Sequence, residues 1–316
     1  MTVAAVVVTY RRKELLAQCL RALQGQAHPL DEIIVVDNAS GDGTAAMVRD
    51  EFPEVTLRVL NENRGGAGGF HAGMKMAAER DVDWIWVMDD DAEPETDALE
   101  QLFNPGVHHR EDTAALASLK VDSKGHRQSA HAGSYNPITM KKQPVNPNGP
   151  EVEPISFSSF VGLMVRTQVV ERIGLPCAEY FIWGDDTEYS LRLNKIGKIF
   201  LVRGSRVIHH DGFATTRKKA SVLSQAWRDR PVEQYWRNYY ALRNRLLIVN
   251  AYAASPAERW QGYLAGMYLF FRSAAAVIAF DDYKAFRLRV LWKGLLHGVL
   301  GRDGKHYDPD RFKPSH

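Results

Sequence analysis

The chain has 316 residues, with apolar and charged content ordinary for a globular protein. That length suits one large α/β domain, or a domain with an appendage. Its two cysteines, Cys19 and Cys177, have no CxxC or Cys/His spacing, which excludes a disulfide framework or a zinc site and fits a reducing cytosol.

The formal net charge of +2 hides an asymmetry. Residues 1–200 carry 20 Lys+Arg against 29 Asp+Glu, a balance of −9, and residues 201–316 carry 20 against 9, a balance of +11. A basic, aromatic-rich C-terminal third calls for an anionic partner, either a membrane surface or a nucleic acid. The opening MTVAAVVVTYRRKE lacks a basic region ahead of its apolar run, so it does not read as a signal peptide.

Val3–Thr9 is a continuous β-rich run, and Lys13–Gln24 follows as a helix with Leu15, Leu16, Cys19, Leu20 and Leu23 on one face. Glu32–Asp37 reads as a second buried strand, residues 43–50 as a short helix and residues 55–60 as a third strand. Residues 61–69, NENRGGAGG, read as a loop before a helix over residues 70–79. Trp84–Met88 is the fourth strand. Strands alternating with helices at this spacing imply a doubly wound, mostly parallel α/β sheet.

In such a sheet, ligands bind beyond the carboxyl ends of the strands. Those ends carry Thr9-Tyr10-Arg11, Asp37-Asn38 and Asp89-Asp90-Asp91. Residues two apart in extended chain point the same way, so Asp89 and Asp91 can converge on one hard cation such as Mg²⁺ or Mn²⁺. The competing reading is an acidic loop that caps the next helix. Asp37 can accept from a uracil imide, and Arg11 can pair with phosphate; turn chemistry is the alternative for Asp37-Asn38.

Two glycine patterns compete for attention. Gly41–Ala46 matches GxGxxA, but it follows the second strand and not the first, so it reads as loop glycines and not a dinucleotide fingerprint. In NRGGAGGF (residues 63–70) the glycines would let backbone approach a ligand at a helix start, with Arg64 adding positive charge. No GxxxxGK[ST] occurs, so there is no P-loop.

Ala114–Leu119 reads as a fifth strand, the proline-rich residues 121–154 as an insertion with a hairpin at the rim of the site, and residues 156–165 as a further strand. In FIWGDDTEYSLR (residues 181–192), Asp185, Asp186 and Glu188 open a helix whose apolar face includes Tyr189, Leu191 and Leu193. Carboxylates suit a helix N-terminus in their own right; one facing the metal site would also serve as a general base. Phe181, Ile182 and Trp183 form an apolar wall on which a sugar ring can stack. The run at Val207-Ile208 ends in the pair His209-His210, and neutral imidazole also suits Mn²⁺.

Beyond Asp211 the chain changes character. Residues 235–251 mix aromatics and arginines at helical spacing, and residues 258–280 are the most apolar helical stretch. The longest charge-free segment there, residues 260–271, has 12 residues, too short to span a bilayer. Residues 283–300 add Lys284, Arg287, Arg289 and Lys293 around apolar residues. Basic, aromatic helices of this kind lie on membrane surfaces; a helical subdomain that only covers the sheet is the alternative.

VVVTYRR, VVDNAS, NRGGAGGF, the acidic triplet after WIWVM, FIWGDDTEYSLR and HHDG occur in the order seen in inverting family 2 glycosyltransferases of the GT-A fold, over roughly residues 3–212. The pair NRGGAGGF and WGDDTEYSLR is especially similar to bacterial galactofuranosyltransferases and to rhamnosyltransferase-like relatives, and the later YYALRNRLLI is similar to the C-terminal helix of the chain-initiating members. The resemblance implies a GT-A catalytic domain over residues 1–215 and a helical, basic, membrane-associating region over residues 216–316. It implies that Thr9, Arg11 and Asp37 hold the uridine end, with Arg64, Gly65, Gly66, Asp90 and Trp183 around the rest of the donor and the acceptor. Asp89 and Asp91 would be the DxD pair on Mn²⁺ or Mg²⁺, joined by His210, with His209 beside it as the other choice. Asp186 resembles the general base, with Asp185 as the neighbouring candidate.

The activity implied is metal-dependent, inverting transfer of a sugar, with galactofuranose from UDP-galactofuranose first and rhamnose or another hexose second. The partners implied are a UDP-sugar donor, a polyprenyl-linked glycan acceptor and the inner leaflet of the plasma membrane, on which a cytoplasmic enzyme would sit peripherally. A homo-oligomer is compatible with all of this. A nucleotidyltransferase would need a nucleoside triphosphate and the basic Arg11-Arg12-Lys13 segment. A nucleic-acid partner is not expected, because clustered carboxylates repel phosphate unless a metal is present.

Overall fold

A computed structural model describes residues 1–210 and 231–313. The described residues divide into two compact units: Met1–Tyr135, Lys142–Ala178 and residues 185–210 form the first, and Asn136–Lys141, Glu179–Gly184 and residues 231–313 form the second.

The first unit is built on a mixed, mostly parallel sheet. Strands β1 (Val3–Thr9), β2 (Glu32–Asp37), β3 (Thr56–Val59) and β4 (Trp84–Asp89) are mutually parallel in the order β3-β2-β1-β4. Between them run the helices α1 (Lys13–Gln24), α2 (Thr44–Glu51) and α3 (Gly65–Ala78). Every residue of β1 is buried, because both faces are covered. Val3, Ala5 and Val7 face one apolar core together with Leu16, Leu20 and Leu23 of α1, while Ala4, Val6 and Val8 face a second core with Phe70 and Met74 of α3. Alternation along the strand thus assigns each side chain to one of two layers.

Beyond β4 the chain makes β5 (Ala92–Pro94), α4 (Ala98–Phe103) and β6 (Thr113–Val121). The proline-rich insertion holds β7 (Ala132–Asn136), β8 (Lys141–Pro144) and β9 (Val152–Ile155). The single strand expected over residues 156–165 is two strands. β10 (Phe157–Ser158) joins a small sheet in the order β10-β7-β8, and β11 (Leu163–Arg166) joins the main one. Between them the chain turns at Gly162, whose φ of +73° is costly for any residue with a Cβ. β11 is antiparallel to both β4 and β6, so the sheet is mixed and mostly parallel, as expected. After α5 (Thr167–Ile173) and α6 (Asp185–Leu193), β12 (Lys198–His209) pairs parallel to β6 and antiparallel to β5 and β9.

The second unit contains α7 (Trp236–Tyr252), α8 (Pro256–Phe280) and α9 (Lys284–Val299). Ser255 caps α8 by accepting from the Glu258 N–H at 3.2 Å, and Glu258 reaches back to the Ala254 N–H at 2.7 Å. Gly262 and Gly266 let α8 approach Val249 and Leu246 of α7, and Gly294 and Gly298 do the same for α9. α8 runs unbroken through Arg272 for 25 residues and is long and apolar enough to cross a membrane. The expectation that this stretch is too short is therefore corrected: a single arginine does not end a helix or outweigh its apolar neighbours. Trp260, Leu264, Tyr268, Phe271 and Ile278 are all exposed along it.

Candidate active site

The register of the parallel strands brings the polar strand ends to one edge. Thr9 lies opposite Asp37, and Val8 opposite Asp89. β12 runs in the same direction as β6, so its C-terminal His209 arrives at that edge too, opposite Ala92 of β5.

The acidic triplet is tied down unequally. Asp90 is buried and accepts from Thr9 Oγ1 at 2.8 Å and from the Tyr10 N–H at 3.3 Å. Arg12 Nη1 donates to Asp91 Oδ2 at 2.7 Å and to Asp90 Oδ1 at 3.2 Å. Burial pushes the Asp90 carboxyl up to about 6, against the pull of Arg12. Asp89 rises well above the usual carboxylate range, through burial first and then the charges of Asp91 and Asp90; Asp185 adds to this, so the acids of α6 lie within electrostatic reach of the triplet. Burial also works to raise Asp91, but His209 beside it, with Arg12, outweighs burial and holds the group low.

Asp89, Asp91 and His209 gather so that one ligand atom from each lies within 4.8 Å of the others. His209 Nε2 sits 3.2 Å from Asp91 Oδ1. The structure brings His209 to this pair, in place of the expected His210, whose Nε2 contacts Glu93 Oε2 at 2.6 Å. The reason is the pleat: successive side chains of an extended segment point to opposite faces. Asp91 Oδ1 is buried and has no hydrogen-bond donor of good geometry among the described residues. Two carboxylates, an imidazole and a buried oxygen lacking a donor fit a divalent cation.

The acids of α6 occupy different environments. Asp185 is buried, which, with the adjacent Asp186, pushes its carboxyl up to about 8. Asp186 is half-buried, and its Oδ1 accepts from Thr187 N at 2.6 Å and Thr187 Oγ1 at 3.1 Å. Lys120, fully buried on β6, donates to Ser158 Oγ at 2.9 Å; burial lowers it to about 7, opposed by the charge of Asp186.

On the other flank, Asp37 Oδ1 accepts from Ser40 N at 2.9 Å. Arg11, exposed and at φ +56°, donates its N–H to Ser40 Oγ and its Nε to Ser40 O. Asn38 accepts from Arg64 N at 2.9 Å and donates to Gly65 O at 2.6 Å. The expected glycine loop is largely helix: α3 begins at Gly65, with φ +72°. A Cβ on Gly69 would lie 2.3 Å from Val8 Cγ1, so this glycine serves close packing on β1. Gly66 has open space where a Cβ would stand, and exposed Arg64 precedes it by two residues. Gly41 and Gly43 form a left-handed turn before α2, as loop glycines should.

Trp183 belongs to the second unit, where it is 47% exposed at φ +62°. Asn244 Nδ2 donates to the carbonyls of Tyr180, Ile182 and Trp183, and Arg243 donates to those of Glu179 and Tyr180. Sequence reasoning missed Arg12 and Lys120 as site residues. Arg12 was legible as a second arginine at a strand end; Lys120 carries no local signal.

A family model described as glycosyl transferase family 2 matches residues 4–173. The galactofuranosyltransferase GlfT1 of Mycolicibacterium smegmatis is 31% identical over 204 residues, covering 63% of this chain and 67% of the relative. The N-acetylglucosaminyl-diphospho-decaprenol L-rhamnosyltransferase of Mycobacterium tuberculosis is 23% identical over 282 residues, covering 77% and 92%. Among solved structures, GalNAc-T7 with UDP, GalNAc and Mn²⁺ superposes with a TM-score of 0.59 at 13% identity, covering 95% of this chain and 56% of that one. At that identity it speaks for the fold alone.

Proposed function

The chain belongs to glycosyl transferase family 2 and is a glycosyltransferase, and from that premise we propose a metal-dependent, inverting transfer of galactofuranose from UDP-galactofuranose to a lipid-linked glycan. The observation that carries the proposal is the convergence of Asp89, Asp91 and His209 at the carboxyl edge of the sheet, with Asp185 and Asp186 close by.

Asp89, Asp91 and His209 would hold the cation, which supplies neutralisation of the charge that builds on the leaving diphosphate. Thr9 orients Asp90 by its hydrogen bond, and Arg12 balances the buried acids. Asp37, Arg11 and Ser40 shape the uridine end, and Arg64 and the open backbone at Gly66 flank the diphosphate. Asp186 takes the proton of the acceptor hydroxyl as that oxygen attacks the anomeric carbon from the face opposite the leaving group. Its partial exposure suits it to meet an acceptor, whereas Asp185 is buried. Trp183 offers a ring face for a sugar. The transition state is oxocarbenium-like, as in glycoside hydrolysis.

A lipid-linked acceptor is supported by the diphospho-decaprenol acceptor in the name of one relative, and by the exposed apolar face of α8 in a C-terminal third with a surplus of cations. Both favour a seat on an anionic membrane. That same relative favours rhamnose transfer as the second reading. A panel of UDP-galactofuranose and dTDP-rhamnose with one synthetic polyprenyl-diphosphate acceptor separates the two. D186N is expected to abolish transfer while donor binding survives; near-normal turnover by that variant removes Asp186 from the base role.

A further inference from the structure

We infer that Gln128 is a positioning residue: it fixes His209 with a proton on Nδ1 and so aims the Nε2 lone pair at the space beside Asp91. The inference rests on the cation site proposed above and deepens it.

Gln128 closes both ends of its amide on the same residue. Nε2 of Gln128 donates to the His209 backbone carbonyl at 3.0 Å, and Oε1 lies 2.7 Å from His209 Nδ1. A carbonyl oxygen can only accept, so the amide nitrogen must face it. That fixes the flip of the amide and leaves the amide oxygen on the ring. An amide oxygen also only accepts, so Nδ1 must carry the hydrogen. In a neutral ring the other nitrogen is then a bare lone pair. It faces Asp91 Oδ1 at 3.2 Å, itself buried and without a well-aligned donor. Two lone pairs held face to face repel unless a positive centre, a proton or a metal ion, lies between them.

The surroundings hold this geometry from both sides. Gln128 is anchored by its own N–H, which donates to Lys120 O at 2.9 Å. His131 packs its ring at 4.8 Å from that of His209, at 74° between planes, and its Nδ1 is engaged with Ser159 Oγ at 3.1 Å. Imidazoles that ligate metals commonly donate their second N–H to such an acceptor, and removal of the acceptor costs about 10- to 100-fold in metal affinity.

The test is Mn²⁺ titration of the metal-free full-length protein by calorimetry, on wild type, Q128L, Q128E and H209A. Q128L is expected to bind Mn²⁺ about 10- to 100-fold more weakly. Q128E loses the donor to the His209 carbonyl but keeps an acceptor for Nδ1, so it is expected to stay close to wild type. H209A is expected to lose at least as much as Q128L. If Q128E falls as far as Q128L, the role is structural and the inference fails. If Q128L matches wild type while H209A is weakened, Gln128 plays no part although the cation site stands. If H209A also binds like wild type, the cation site itself is wrong and the inference falls with it.

Discussion

Two glycines of one motif are expected to respond in opposite ways to the same substitution. In G69A the new methyl would stand 2.3 Å from Val8 Cγ1, 3.2 Å from Val8 Cγ2 and 3.3 Å from Asn38 Nδ2. Val8 is locked in β1, and Asn38 is the side chain that clasps Arg64 and Gly65. Neither can yield without moving α3 off the sheet. Overpacking of this kind costs ~1–3 kcal/mol. At roughly 2–4 °C per kcal/mol for a unit of about 200 residues, the melting temperature should fall by ~2–12 °C. In G66A the methyl meets nothing within 4 Å, and its backbone is helical. Replacing glycine by alanine there should add ~0.4–1 kcal/mol through the unfolded chain. Yet the new methyl stands where the diphosphate is expected, so the KM for the nucleotide sugar should rise several-fold. Thermal melts and donor saturation kinetics on the two variants decide this. A G69A protein that melts at or above wild type would refute the packing argument, and a G66A protein with unchanged donor KM would remove Gly66 from the donor site.

Asp185 gives a pH signature. Its folded value near 8, against 3.8 unfolded, means that the folded state binds the extra proton between those values, so its contribution to stability falls as pH rises from about 4 to 8. D185N mimics the protonated form, and its stability relative to wild type should therefore improve from pH 5 to pH 8 in urea titrations with EDTA; a constant difference would contradict the burial argument. N244A should cost ~1–3 kcal/mol, because the carbonyls of Tyr180, Ile182 and Trp183 lose a buried donor. Chelation should abolish transfer, and Mn²⁺ should restore it at lower concentration than Mg²⁺, because an imidazole is in the ligand set; full activity in EDTA would contradict the metal reading.

Arg12 shows how the site balances its own charge. Three adjacent carboxylates cannot all stay ionised in a buried setting without compensation. Arg12 meets two of them, while Thr9 and the Tyr10 N–H take the remaining oxygen of Asp90. A cation bound between Asp89, Asp91 and His209 would share Asp91 with Arg12, which already occupies its Oδ2.

What the sequence determined by itself was local and periodic. The runs Val3–Thr9, Glu32–Asp37 and Trp84–Met88 are apolar and β-branched without interruption, and only a strand covered on both faces uses such runs; the helix over Lys13–Gln24 followed from its leucine spacing. Asp89, Asp91, Asp185 and Asp186 stood out because acids cluster where apolar runs stop. Tertiary structure decided whatever depended on direction or register. NRGGAGGF looked like a ligand loop, and only the distance from Gly69 to Val8 reveals a helix seated on the sheet. β11 was seen as a strand, but its antiparallel insertion between β4 and β6 depends on pairing partners far along the chain. His209 and His210 are indistinguishable as letters; the register of β12 against β5 sends one toward Asp91 and the other toward Glu93. Lys120, Gln128 and Asn244 had no signal at all, because each acts through contacts at least 38 residues away in sequence. Periodicity is a property of neighbours along the chain, whereas a site is a property of neighbours in space.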